Sequence, residues 1–352
     1  MNIQKLQSKL NDGEGIIVVS PENRRYLTGF PSSDGYLLVT PCESILLADS
    51  RYIEAAQNTA EGCSEILLLS SLSAQLPSLA EKLGIKTLFT EAENLSVSEF
   101  NRISSLVSCE CRAEKADEAI SSLRRFKTEN EKSKIIEAQR IAEAAFEHIL
   151  GFIKEGVTEK QIALELDYFM LRRGAECVSF ETIAVSGKNS SMPHGVPCDK
   201  EIEKGDFITM DFGAVVDGYH SDMTRTVAVG SVSSKQAEVY ETVLSAQLAS
   251  LSVLKSGVSG FDADEAARRI IRNAGYGDFF GHGTGHGVGI EIHEQPRLSP
   301  KSKHILGPGD IVTVEPGIYL PAEFGVRIED MAFITENGCE NLTNSNNSLI
   351  EL

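Results

Sequence analysis

The 352-residue chain is 41% hydrophobic and 24% charged, a balance that fills the cores of two domains and excludes disorder as the basic state. Its 33 basic and 51 acidic residues leave a formal net charge of −18, which disfavours nucleic acid and anionic membrane as general partners but suits a bound cation. Cys42, Cys63, Cys109, Cys111, Cys177, Cys198 and Cys339 show no paired Cys-x-x-Cys spacing, so neither a disulfide framework nor a thiolate zinc site is expected. The stretch "MNIQKLQSKLNDGEG" lacks the apolar core of a signal peptide and no run of 18 apolar residues occurs, so the expectation is a soluble cytoplasmic protein.

Over residues 1–120, strand-like runs ("GIIVVS", "GYLLVT", "SILLAD", "KTLFT") alternate with helical stretches such as "SLSAQLPSLAEKLG", the pattern of a small α/β domain. Then the pattern changes. Thr128 and Glu131 form a capping box, and Ile135, Ala138, Ala142, Ala145, Phe146 and Ile149 form the apolar stripe of a long helix, which opens a second domain over 121–352. This second domain contains an echo of itself. "IKEGVTEKQIALELDYFMLRRGAE" from Ile153 and "LKSGVSGFDADEAARRIIRNAGYG" from Leu254 each carry a helix end, a Gly-Val-Thr/Ser turn, an amphipathic helix and a closing glycine, and each precedes a hairpin.

In "DFITMDFGAVVDGYHSDMTRTVAV" the Asp217-Gly218 pair signals a two-residue turn. That turn sets Asp211 opposite Thr224 and gives Asp222 the same parity as Thr224, so two carboxylates become diagonal neighbours on one face. A loop centred on Ala322 in "DIVTVEPGIYLPAEFGVRIEDMAFIT" likewise sets Glu315 opposite Glu329, with Arg327 on their face. Four acids this close would repel and destabilise the fold unless cations neutralised them. A pair of divalent ions meets that requirement, and oxygen ligands with one imidazole suit Mn²⁺, Co²⁺, Fe²⁺ or Zn²⁺.

Residues 281–294, "GHGTGHGVGIEIHE", hold His282, His286 and His293 among glycines at 281, 283, 285, 287 and 289. The glycines disfavour a His-x-x-x-His zinc helix, so the stretch reads as loop and strand. They are expected to let the backbone pass close to metal and substrate. His286 and His293 would face opposite ways in a plain strand, and a bulge or bend is needed for both to serve one site. His194 lies upstream in "SSMPHGVP", His220 shares the parity of Asp222, and His148 and His304 have no supporting context.

These motifs, with "NRRYLTGF" and "LADSRY" in the first domain, resemble the Xaa-Pro aminopeptidase and prolidase branch of the pita-bread metallopeptidases nearly end to end. The resemblance implies an α/β N-terminal domain of creatinase/prolidase type and an α+β pita-bread catalytic domain with internal pseudo-two-fold duplication. It carries the metal ligands over to Asp211, Asp222, His286, Glu315 and Glu329, holding two divalent ions, most readily Mn²⁺, with Co²⁺ or Zn²⁺ as alternatives. Glu315 would also shuttle a proton, His293 would bind the oxyanion, His194 would sit near the leaving nitrogen, His282 would line the pocket, and Arg327 would lie beside the site. Thr224 would orient a carboxylate. The expected reaction is cleavage between an N-terminal residue and a following proline by a homodimeric aminopeptidase acting on proline-containing peptides. A dipeptidase (prolidase) is the alternative, and a peptide-binding module without activity or a creatinase-like hydrolase of a non-peptide C–N bond is the distant one.

Overall fold

The computed structural model describes residues 2–352 and divides them into two compact units, one ending at Arg124 and the other running from Arg125 to Leu352. The boundary expected at residue 120 falls inside the helix Lys115–Arg125. Beyond residue 120, Arg124 is buried on that helix and donates to Asn23 Oδ1 at 2.7 Å, so the first unit's packing continues past the expected division.

The first unit is a six-stranded mixed sheet. Its order is Glu65–Leu68, Ser44–Ala48, Tyr36–Val39, Glu14–Val18, Thr87–Thr90 and Glu110–Arg112. The central strands are buried on both faces and read as the continuous apolar runs noted in the sequence. Ile17, Leu38 and Leu47 pack with Leu76, Leu79 and Ile103 from the helices Leu72–Lys82 and Val97–Leu106.

The second unit begins with the helix Glu129–Leu150. Thr128 caps it and exchanges hydrogen bonds with Glu131, and all six residues of its expected apolar stripe are buried. The internal echo is structural. Gly156 (φ 82°) and Gly257 (φ 85°) occupy the same left-handed conformation 101 positions apart, each ahead of a capping Thr158 or Ser259 and a 14-residue helix, Glu159–Arg172 and Gly260–Asn273. The first helix pair packs on the antiparallel sheet of Ile183–Ser186, Phe207–Phe212 and Met223–Ala228. The second pair packs on the strands of the later hairpin and on a five-stranded sheet ordered Glu294–Leu298, Gly285–Gly287, Ile311–Val314, Asp330–Ile334 and Cys339–Asn341. No helix among the described residues is long and apolar enough to cross a membrane.

Candidate metal centre

The first hairpin turns at Asp217 (φ 54°) and Gly218 (φ 80°), and an unbroken register sets Asp211 opposite Thr224. In the second, Val314 pairs with Asp330 and Gly317 with Arg327, so Glu315 falls opposite Glu329 in the same register. The chain changes sheets at Glu315-Pro316, because Ile311–Val314 belongs to the five-stranded sheet and Gly317–Leu320 forms a separate ribbon with Phe324–Arg327. All four acids and His286 line one cavity of about 550 Å³, together with His194, His282, His293, Arg297 and Arg327. That volume accommodates a small peptide.

Ligand atoms of Asp222, His286 and Glu329 lie within 4.8 Å of one another. Nε2 of His286 is 3.5 Å from both Asp222 Oδ2 and Glu315 Oε1. Nδ1 of the same ring faces the Gly287 carbonyl at 3.1 Å, which requires that nitrogen to carry the proton and turns the Nε2 lone pair toward the carboxylates. Burial pushes the His286 pKa down to about 3, so the ring is neutral as a ligand must be. Oδ1 of Asp211 is buried without a hydrogen-bond partner among the described residues. An imidazole lone pair facing carboxylate oxygens and an orphaned carboxylate oxygen form a donor set that fits divalent cations.

Electrostatics agree. Burial, reinforced by the charges of Asp211 and Glu315, raises the Asp222 pKa well above the carboxylate range, and burial with the charge of Asp222 does the same to Glu329. Burial raises Glu315 to about 8, against the opposing charge of Arg327. Arg327 is hydrogen-bonded into this acid group. It donates to Asp211 Oδ2 at 2.7 Å, to Thr224 Oγ1 at 3.0 Å, to the Tyr319 hydroxyl at 2.9 Å and to the Pro193 carbonyl at 3.2 Å. Thr224 in turn donates to Glu329 Oε2 at 2.7 Å, the orienting contact expected of it.

A model of metallopeptidase family M24 matches residues 133–336, and a creatinase/prolidase N-terminal domain model matches residues 2–126. The chain belongs to metallopeptidase family M24. It is a hydrolase of the metallo-exopeptidase class, and the pita-bread fold and the creatinase-type first domain expected from the sequence are those it has. A Xaa-Pro dipeptidase of Pyrococcus furiosus is 38% identical over 97% of this chain and 96% of its own length. The structure of a Xaa-Pro dipeptidase from Bacillus anthracis superposes with a TM-score of 0.95 at 41% identity, covering 99% of both chains. An X-Pro aminopeptidase from Thermotoga maritima superposes with a TM-score of 0.92 at 38% identity, covering 98% of this chain and 99% of that one. Membership of the family implies divalent metal ions.

In this M24 chain the histidine-rich stretch is loop and short strand, with Gly285–Gly287 as the strand. A register shift between His286 and Gly287, followed by bends through residue 293, brings His293 edge-on to His286 at 4.4 Å between ring centroids. The shift supplies the bulge that both rings need to face one cavity. His282 Nδ1 faces the Gly283 carbonyl at 2.8 Å, leaving Nε2 to accept from the Tyr319 hydroxyl at 2.9 Å. Burial, then the charge of Arg327, lowers its pKa to about 4. The sequence reading missed Tyr319, which joins His282 to Arg327, although it shares the parity of Glu315. It also passed over Arg297, which is paired with His286 in the ladder. His220 bonds to Ser179 and His148 to Glu165, and neither lines the cavity.

Two of the glycines are required by neighbouring strands. A Cβ on Gly285 would lie 1.9 Å from the Thr313 carbonyl oxygen, and one on Gly287 2.3 Å from that of Gln295. At these two positions the close approach is to neighbouring backbone, while Gly283 and Gly285 also line the cavity. Gly285→Ala is expected to cost about 3 kcal/mol of stability, because strand backbone cannot yield as a side chain does. A denaturant midpoint within error of the parent's would refute that packing argument.

Proposed function

We propose that this protein hydrolyses the peptide bond between an N-terminal residue and a following proline, with Asp211, Asp222, His286, Glu315 and Glu329 holding two divalent metal ions. The convergence of Asp222, His286 and Glu329 within 4.8 Å carries the reading, and the activities named for the relatives support it. Bound ions, Mn²⁺ in this reading with Co²⁺ or Zn²⁺ as alternatives, supply an activated water and polarise the scissile carbonyl. Glu315, a carboxylate on the cavity wall, takes the proton of the attacking water. The proline nitrogen bears no hydrogen before cleavage and must gain one as it leaves. Glu315 delivers it, and His194 on the cavity wall assists. His293 donates to the developing oxyanion beside His286. Arg327 fixes Asp211 and, through Tyr319, the ring of His282 against the cavity wall.

One cavity residue favours a short substrate. Arg297 has no hydrogen-bond or ion-pair partner among the described residues, although its guanidinium lines an acid-rich cavity. In an Xaa-Pro dipeptide the carboxylate follows the proline ring directly, and an unpaired guanidinium is its natural complement. The dipeptidase reading therefore stands ahead of the aminopeptidase reading. Both are separated by Mn²⁺-loaded protein acting on alanyl-proline and alanyl-prolyl-alanine, with a chelated control. Arg297→Met is expected to raise KM for the dipeptide about 10–100-fold, the worth of one charged hydrogen bond. Equal or faster cleavage of the tripeptide, with dipeptide KM unmoved in the variant, would establish the aminopeptidase instead. Silence on both peptides in metal-loaded protein would leave a binding module.

A further inference from the structure

Outside the acid cluster, a second pair of charges is more deeply buried than chemistry in the cavity requires. Lys127 and Glu294 have side chains 1% and 5% exposed, and Lys127 Nζ donates to Glu294 Oε2 at 2.9 Å. The other oxygen of the same carboxylate accepts from the amides of Ile290 at 3.0 Å and Glu291 at 3.2 Å. Those amides belong to the bend between Gly287 and the strand Glu294–Leu298, the segment that turns His293 toward His286. Lys127 is itself fixed. Its amide donates to the Gly309 carbonyl at 2.9 Å, and it immediately precedes Thr128, the cap of the helix Glu129–Leu150. Gly289 leaves the room, since a Cβ there would lie 2.4 Å from Glu294 Oε2.

A buried ion pair is a poor source of net stability, because apolar residues of the same volume commonly serve as well. What this one supplies is geometry. A carboxylate with one oxygen on two successive amides and the other on an anchored ammonium defines the path of the bend, which no regular ladder defines. We propose that the Lys127–Glu294 pair is a positioning device for His293, holding the bend Val288–His293 in the one path that sets the His293 ring beside His286. The proposal rests on the reading of His293 as the donor to the oxyanion. It makes Lys127 and Glu294 positioning residues, since neither lines the cavity.

Four variants test it: Glu294→Gln, which keeps one carbonyl acceptor for the amides but faces Lys127 with an amide; Lys127→Met; the double variant; and His293→Ala as reference. Each is assayed as full-length, Mn²⁺-loaded enzyme on alanyl-proline and alanyl-prolyl-alanine, and amide hydrogen exchange is followed in metal-free protein. Each single variant is expected to lose about 10–100-fold in kcat with KM within about threefold, as supporting groups around a site typically do. In the double variant no charge is left unpaired and the Gln carbonyl still accepts from the amides, so kcat is expected to recover at least about tenfold over Lys127→Met. Exchange at Ile290 and Glu291 should quicken in the single variants while the strand Ile311–Val314 stays protected. A merely structural pair would loosen the whole unit and leave kcat of the folded fraction unchanged. Parental kcat in both single variants, with His293→Ala slow, overturns the proposal, as does a double variant no better than the product of the singles. Parental kcat in His293→Ala removes the role of His293 and the proposal with it, and the localised exchange tells that failure from the first.

Discussion

Alanine at Asp222 or Glu329 is expected to lower turnover on an Xaa-Pro substrate by on the order of a thousandfold or more and to leave the purified protein short of metal. Removing a group that only orients a metal ligand costs about 10–100-fold, so removing a ligand itself must cost more. These two acids and His286 form the tight cluster of the site, and each acid is buried, at 4% and 1% exposure. Misfolding is the competing explanation for an inactive variant, and electrostatics separates the two. In the metal-free protein each carboxyl is held above its ordinary range by burial and by its acidic neighbours, so deleting one relieves repulsion. The metal-free Asp222→Ala protein should therefore melt no lower than the metal-free parent, while Mn²⁺ should no longer raise its melting temperature. Near-parental turnover with a full metal complement in either variant would sink the ligand assignment.

The acids were legible in the sequence because hairpin register is local information. A two-residue turn at Asp217-Gly218 fixes parity for several residues on either side, and the loop at Ala322 does the same, so the partners of Asp211 and Glu315 followed from counting. The internal repeat was legible for a related reason: the same left-handed glycine and capping hydroxyl recur at a fixed interval. What depends on tertiary approach was not legible. The glycines of residues 281–294 announced close contact, but nothing in the stretch says that the contact is with Thr313 and Gln295. The register shift after His286 is permitted by Gly287 and shaped by Glu294 and Lys127, which lie 167 positions apart. Tyr319 had the right parity but gains its meaning only when Arg327 and His282 arrive from other segments. The first unit's last helix ran past the expected boundary because a change of composition marks where a pattern alters, not where packing ends.

Removing the metal should destabilise the protein most at alkaline pH. In the metal-free protein Asp222, Glu329 and Glu315 have raised pKa values, so each binds its proton more tightly folded than unfolded. Their contribution to stability is therefore complete below the ordinary carboxyl values, 3.8 for Asp222 and 4.5 for the two glutamates, and is lost as pH rises, for Glu315 through about 8. His282 and His286 have the opposite sign. Their folded values, about 4 and about 3, lie below the ordinary 6.5, so what they contribute is complete above 6.5 and is lost as pH falls toward those values. Between pH 6.5 and 8.5 the histidines are constant and the carboxyls dominate, so the metal-free protein should lose stability across that window. Metal acts the other way, because its ligands must be deprotonated and affinity rises with pH. At 100 times Kd, bound metal stabilises by about 2.7 kcal/mol, or roughly 5–10 °C in melting temperature for a unit of this size. Thermal scans of chelated and Mn²⁺-loaded protein at pH 6.5, 7.5 and 8.5 should show that gain widening with each step. A gain that stays level or narrows would mean that the acids are already neutralised from within the protein, by Arg327 and by shared protons, and that the cluster is not waiting for cations.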